Sequence, residues 1–239
     1  AEAFHEQGAD LAFTYLEEPR GRIEKNVRGL VSSLPGADRH PVLPCDVTDD
    51  GSIQNVMDHL RGAWKRLDVV VHCVAYADRD DLNRPFSEIS RNGYKLAMEV
   101  SAYSLSAVSR MAAPLMRKAG GGSIIALTYN AVEKAVPGYS AMAAAKAALE
   151  LGVKYLAVEL GPDKIRVNAI SAGPLDTLAS RAISGYLEMK RAHAERAPLR
   201  RNITHEEVAK AALFLCSDLS SGITGAVIPV DAGYHIMGI

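Results

Sequence analysis

Cysteine is scarce, at three residues in 239: Cys45, Cys73 and Cys216. An odd number, widely spaced and each set in an apolar stretch, excludes a disulfide framework and leaves no zinc-type spacing, which is the pattern of a reduced, cytoplasmic chain. Histidine adds nothing here, because His193, His205 and His235 lack metal-ligand spacing, so no metal is expected. Neither sign of charge dominates, with 27 Lys and Arg against 28 Asp and Glu. Without a Lys/Arg cluster there is no basic face for a phosphate backbone, which excludes a dedicated nucleic-acid binder and favours a small, neutral or weakly acidic ligand. No uninterrupted apolar run nears the roughly 18 residues of a membrane span and no signal-peptide pattern opens the chain, so no membrane partner is expected. Aromatic residues make up only 6%, so the core must be largely aliphatic; Trp64, the single tryptophan, reads as helix packing.

What is there is an alternation. Hydrophobic residues make up 48% of a chain long enough to bury one substantial core, so a single domain over 1–239 is expected. Short, continuously apolar runs at 10–15, 40–45, 67–74, 122–128, 165–170 and 226–230 read as strands covered on both faces. Between them, 20–34, 52–66, 87–118, 140–160 and 204–219 carry helical periodicity. Strand and helix repeated at this spacing predict an α/β domain: a doubly wound, mostly parallel sheet with helices on both faces, of the Rossmann type. The opening AEAFHEQGADLAFTY reads as the last turns of a helix, a stop at Gly8 and then a strand. The stretch 174–202, with two prolines and mixed charge, reads as a partly helical excursion after a strand's carboxyl end, where ligands sit in such folds.

The densest chemical signal is LTYNAVEKAVPGYSAMAAAKAAL at 127–149. Pro137 and Gly138 mark a turn, Tyr139 opens an Ala-rich helix, and Lys146 follows seven residues later. Seven steps of about 100° come within about 20° of two whole turns, so both side chains share a helix face. A Lys ammonium near a Tyr hydroxyl stabilises the phenolate, giving an acid or hydrogen-bond donor usable near neutral pH. A surface Lys and a Tyr packed on a helix N-terminus produce the same spacing, and from spacing alone that is the commoner reading. Context favours chemistry: Tyr129, just after the strand at 122–128, and Pro174, in the turn after the next strand, place both tyrosines, Lys146 and the Gly173–Pro174 turn on one rim. His72, inside an apolar strand, reads as a hydrogen-bonded core histidine. Arg196, Arg200 and Arg201 read as a solvated surface, with contact to an acidic partner as the alternative.

The strings CDVTDD (45–50), HCVAYA (72–77), SAYSLSAV (101–108), LTYNAVEKAVPGYSAMAAAKAALE (127–150), KYLAVELGPDKIRVNAISAGPLDTLA (154–179), RAPLRR (196–201) and FLCSDLSSGITGAVIPVDAGYH (214–235) resemble the enoyl-acyl-carrier-protein reductases of bacterial fatty-acid elongation. These form a divergent branch of the short-chain dehydrogenase/reductase superfamily. The resemblance covers essentially the whole chain. Its most specific element is Tyr-x6-Lys with a second Tyr ten residues upstream; mainstream members place Lys four residues after Tyr, and position 143 here is Ala.

The resemblance implies an NAD(P)H-dependent reduction of the trans-2 double bond of an enoyl thioester on acyl-carrier protein. Tyr139 would hydrogen-bond the thioester carbonyl, Lys146 would bond the nicotinamide ribose, and Tyr129, the third catalytic candidate, would line the acyl pocket and take part in protonation or substrate orientation. Asp46 and Val47 would flank the adenine, Cys73, Val74 and Ala75 would run under the adenosine, and Pro174, Leu175, Thr177 and Leu178 would lie against the nicotinamide. Tyr76, Ala77, Met142 and Tyr186 would complete the substrate lining, beneath a lid at about 175–202 that includes Ile183. Ala75 stands where a glycine is frequent, and Asp176 where close relatives carry Arg. Glu17 and Glu18, ahead of Arg20 and Arg22, favour NADH, with NADPH the alternative, since an acidic residue there bonds a ribose hydroxyl and an arginine accepts a 2′-phosphate. A homotetramer is implied, packed through the helices at 87–118 and 140–160 with VDAGYHIMGI near an interface. A first strand and its Gly-rich turn, roughly 20 to 25 residues, are expected ahead of Ala1, and their absence would expose strand edges. A carbonyl reductase of the same superfamily, or a non-catalytic subunit defective in cofactor binding, are the competing readings.

Overall fold

The structure, a computed structural model, describes residues 1–177, 180 and 185–238. In chain order its elements are α1 (Glu2–Glu6), β1 (Phe13–Tyr15), α2 (Arg22–Val31), β2 (Val42–Pro44), α3 (Asp50–Ala63), β3 (Val69–His72), α4 (Arg79–Asn83), α5 (Arg91–Met98), α6 (Ser104–Ala119), β4 (Gly122–Thr128), α7 (Ser140–Leu160), β5 (Ile165–Ala172), α8 (Tyr186–Arg196), α9 (His205–Cys216) and β6 (Val227–Val230). Every strand pairing is parallel. The strands form two ladders, β1-β2 and β3-β4-β5-β6, so β1 and β3 each keep an edge unpaired among the described residues. No helix among the described residues is long and apolar enough to cross a membrane.

Period-2 alternation sorts β4 and β5 onto two cores. Ile124 and Ala126 of β4, with Ile165, Val167 and Ala169 of β5, pack against Val56 and Leu60 of α3, Leu105 and Leu115 of α6, and Leu149 and Val153 of α7; Trp64 packs on this cluster. The alternate residues Ile125 and Ile170 meet Ala212 and Leu215 of α9, with Phe4 of α1 against them. Helices therefore cover both faces, and each fully buried Ile or Leu contributes about 1.5–3 kcal/mol. Local chemistry sets the helix ends. Asp49 caps α3 by accepting from the Gly51 N–H at 2.8 Å. Thr204 and Glu207 form a reciprocal capping box at α9, and Gly120, with φ of 90°, ends α6 in the left-handed region.

The expected helix at 87–118 is corrected to two helices. A π-helical turn, Glu99–Tyr103, separates α5 from α6. Its physical reason is tertiary. Ser101 and Ser104, both fully buried, turn their hydroxyls toward the end of β3 instead of completing an apolar stripe.

Candidate functional site

Within the four-stranded ladder, β3, β4 and β5 end side by side, and the residues that follow each strand form the rim. Tyr129 follows β4, and Tyr139 sits at the N-terminal boundary of α7 after the Pro137–Gly138 turn. Their rings meet edge to face, 5.4 Å between centroids at 73°. The Tyr129 hydroxyl donates to Met189 Sδ of α8 at 3.3 Å, so α8 lies over the tyrosine pair. Tyr186 of α8 is buried, and Met142 is buried in the first turn of α7.

Lys146 is 5% exposed and has no hydrogen-bond or ion-pair partner among the described residues. Burial lowers its ammonium to about 8, partly opposed by Cys73 and by Glu150 one turn further along α7. Glu150 in turn accepts from the Thr128 hydroxyl at 2.6 Å, and burial raises its carboxyl. A buried, unpartnered cation at a strand-end rim is costly unless a ligand completes it.

The tyrosines depart from the spacing argument. Burial pushes the Tyr129 phenol up to about 12, with Tyr234, Tyr186 and Asp231 adding to it. Burial, then Tyr129, also raises Tyr139, and Lys146 does not offset this. The downward shift expected of the Tyr139 phenol from the Tyr139/Lys146 spacing is therefore corrected in direction: desolvation raises it, and both phenols are neutral hydrogen-bond donors, the role expected of Tyr139.

After β3, Cys73, Ala75 and Tyr76 are exposed, while Val74 and Ala77 are half-buried. Ser101 holds this segment, accepting from the Tyr76 N–H and donating to the Tyr76 carbonyl, both at 2.9 Å. Ser104 donates to the Val100 carbonyl, so His72 donates to Ser104 through Nε2 at 2.8 Å, leaving Nδ1 unpartnered. Burial, then Lys146, lowers His72 to about 4, so it is the neutral core histidine expected. Ser101, Ser104 and Glu150 escaped the sequence reading; serines inside an apolar helix were the signal that could have found the first two.

After β5, Gly173 and Pro174 are buried, Leu175 is half-buried, and Asp176 and Thr177 are exposed. A Cβ on Gly173 would lie 3.1 Å from His193 Nε2 and 3.2 Å from Asp231 Cα, so α8 and the chain after β6 press on this turn. Asp176, expected to alter local charge, pairs with Lys190 of α8. Leu178 and Ile183 lie outside the described residues.

At the C-terminal ends of β1 and β2 is a cavity of about 220 Å³ lined by Leu16, Glu17, Pro44, Cys45, Asp46 and Ser52. Asp46 is pinned, its carboxylate accepting from the Thr48 N–H and hydroxyl and its N–H donating to Ser52 Oγ at 2.9 Å. Val47 is half-buried and does not line the cavity. The two acidic candidates separate: Glu18 accepts from the N–H groups of Arg20 and Arg22, shaping the turn into α2, whereas Glu17 is exposed at the cavity. No cluster of three or more His, Cys, Asp or Glu side chains among the described residues is placed to hold a metal ion.

Residues 1–235 match the family model described as enoyl-(acyl carrier protein) reductase. The chain is 51% identical over 239 residues to the enoyl-[acyl-carrier-protein] reductase [NADH] FabI of Nostoc sp., covering all of this chain and 91% of that one. It superposes on the crystal structure of the Bacillus cereus enoyl-acyl carrier protein reductase with NADP+ and indole naphthyridinone with a TM-score of 0.93 at 46% identity, covering 99% of this chain and 90% of that one. The Anaplasma phagocytophilum reductase in complex with NAD superposes with a TM-score of 0.92 at 44% identity, over 100% and 88%. With its fold, its Tyr129/Tyr139/Lys146 rim and matches of this extent, the chain belongs to the enoyl-(acyl carrier protein) reductase family.

Proposed function

We propose that this protein reduces the trans-2 double bond of enoyl thioesters on acyl-carrier protein with NADH, as a cytoplasmic enzyme of fatty-acid elongation. The observation that carries this reading is the pair of neutral phenols, Tyr129 and Tyr139, in edge-to-face contact on the rim that also holds an unpartnered, buried Lys146. A nicotinamide bound there supplies a hydride. Tyr139 donates its proton in a hydrogen bond to the thioester oxygen as negative charge develops, which typically lowers a barrier by about 2.7–4 kcal/mol per donor. A neutral donor suits that task, because it meets the growing charge without being charged itself beforehand. Lys146 would bond the ribose hydroxyls and supply positive charge beside the site. Tyr129, Tyr76, Ala77, Met142 and Tyr186 line the acyl path.

The cofactor fits the residues present at both ends. Lys146 lacks a partner that ribose hydroxyls would provide, and the β1–β2 cavity, with Asp46 and Val47 beside it, suits the adenosine. Cys73, Val74 and Ala75 would run beneath the adenosine, and Pro174, Leu175, Thr177 and Leu178 against the nicotinamide. Glu17 favours NADH, since its carboxylate would accept from a ribose hydroxyl and repel a 2′-phosphate. A homotetramer is supported by Leu151, Tyr155 and Val158, exposed at i, i+4 and i+7 on α7.

The test follows nicotinamide absorbance with a crotonyl or longer enoyl thioester. Tyr139→Phe and Lys146→Ala are expected to lose turnover while retaining the fold by circular dichroism. Unchanged turnover in both variants, or faster consumption of a β-ketoacyl thioester than of the enoyl one, would overturn the assignment.

A further inference from the structure

Tyr129 and Tyr139 stand at the two ends of the connection from β4 to α7, and the backbone hydrogen bonds of that connection are local. Val132 donates to Tyr129, Glu133 and Lys134 donate to Asn130, and Tyr139 donates to Val136. Among the described residues, the hydrogen bonds that tie 130–138 to any part of the chain beyond Tyr129 and Tyr139 come from a single side chain. Lys134 Nζ donates to the His235 carbonyl at 3.2 Å and to the Met237 carbonyl, and it sits 5.7 Å from the centroid of the Tyr234 ring.

The segment it grips is itself fixed. Asp231, 5% exposed, accepts from the N–H groups of Gly233 and His235 at 3.0 and 2.7 Å, and its carboxylate also meets His235 Nδ1 at 2.9 Å. Gly233 takes φ of 84°, which turns the chain back. The Tyr234 ring stacks on His193 of α8 at 4.5 Å. One residue before Asp231, the Val230 carbonyl accepts from Gly173 N–H at 2.8 Å, at the turn after β5. Segment 231–237 therefore touches the β5 turn, the helix over the site and the tyrosine-bearing connection at once.

We propose that Lys134 and the strap 231–237 form a clamp in which Lys134 is a positioning residue for Tyr139. The strap transmits the rigidity of β5, β6 and α8 to a connection that has little structure of its own. An ammonium is suited to this, since its three donors satisfy two carbonyls at once while its charge rests over a ring face. Small misplacement of a catalytic donor is costly to turnover even when binding is intact. The proposal rests on the function assigned above and goes beyond it.

Three readouts test it on the full chain. Lys134→Met is expected to lower kcat with an enoyl thioester about tenfold, leave the NADH dissociation constant within twofold, and speed hydrogen exchange in 129–139 and 233–237 together. Lys134→Arg, which keeps the charge and the donors, should recover most of the turnover and the slow exchange. The clamp is overturned if Lys134→Met keeps parental kcat and exchange, or if it weakens NADH binding and speeds exchange throughout the chain. Should the parent protein itself fail to reduce an enoyl thioester, the functional reading falls, and the exchange measurement still decides the clamp.

Discussion

In β4 and β5, Ile124, Ile125, Val167 and Ile170 are fully buried; in β1 and β2, Thr14 and Pro44 are exposed and Tyr15 is the only buried residue. The same division runs through the side chains at their carboxyl ends. Tyr139 and Lys146, beside β4 and β5, have their proton affinities moved by desolvation, whereas Glu17, beyond β1, stands in solvent. Electrostatic interactions strengthen as water is excluded, so the end that handles developing charge occupies the dry, rigid part of the fold. The end that recognises an adenosine needs shape and a few polar contacts, and a short exposed ladder supplies them. Substitutions should accordingly have large effects at the first end and small ones at the second.

Lys146→Met is the sharpest break of that comparison, because it should move stability and binding in opposite directions. The folded-state ammonium titrates at about 8, below its ordinary 10.5, so between those values the unfolded chain binds more protons and stability rises with pH. Below pH 8 the buried charge costs stability on the order of 3 kcal/mol in the unliganded protein. Removing it should raise the thermal midpoint at pH 7 by a few degrees while weakening NADH binding more than tenfold, as read by scanning calorimetry and fluorescence titration. A midpoint that falls would mean that the ammonium is compensated by groups other than the cofactor.

The same titration sets a pH dependence at the dry end alone. Lys146 is charged at pH 7 and mostly neutral at pH 9 before a ligand binds, and a charged donor makes the stronger hydrogen bond. The NADH dissociation constant should therefore rise several-fold from pH 7 to pH 9 in the parent and stay flat in Lys146→Met. A parallel rise in both would move the titrating group elsewhere.

How much of this was legible in the sequence follows the same division between local and tertiary causes. Strand β4 and helix α7 fall on the expected residues, because glycines, a Pro-Gly turn and an Ala-rich run mark their ends locally. The placement of Tyr139 at the N-terminal boundary of α7, with Lys146 inside the helix, also follows from the sequence. The direction of the Tyr139 shift does not, since desolvation depends on α8 and on Tyr129, elements brought in by the fold. The π-helical turn has a tertiary cause too, in that Ser101 and Ser104 reach residues 25 and 32 positions away. Two adjacent glutamates look equivalent in sequence, and only the turn at Arg20–Arg22 tells which is already engaged.

Those glutamates give the smallest expected effect, and it lies at the exposed end. Glu17 lines the β1–β2 cavity in solvent, where a charge is screened and a single hydrogen bond to a hydroxyl competes with water. Glu17→Gln should weaken NADH binding only about two- to fivefold, because the amide still offers an acceptor and Asp46, held by Thr48 and Ser52, keeps the cavity's shape. Its effect on NADPH should have the opposite sign, since losing a carboxylate removes repulsion of a 2′-phosphate. Measured side by side, the two dissociation constants should converge in Glu17→Gln. In Glu18→Gln their ratio should stay as in the parent, because that carboxylate faces the N–H groups of Arg20 and Arg22 instead of the cavity. If Glu18→Gln moved the ratio and Glu17→Gln did not, the two would exchange roles, and the wet end of the rim would recognise the ribose through the turn into α2.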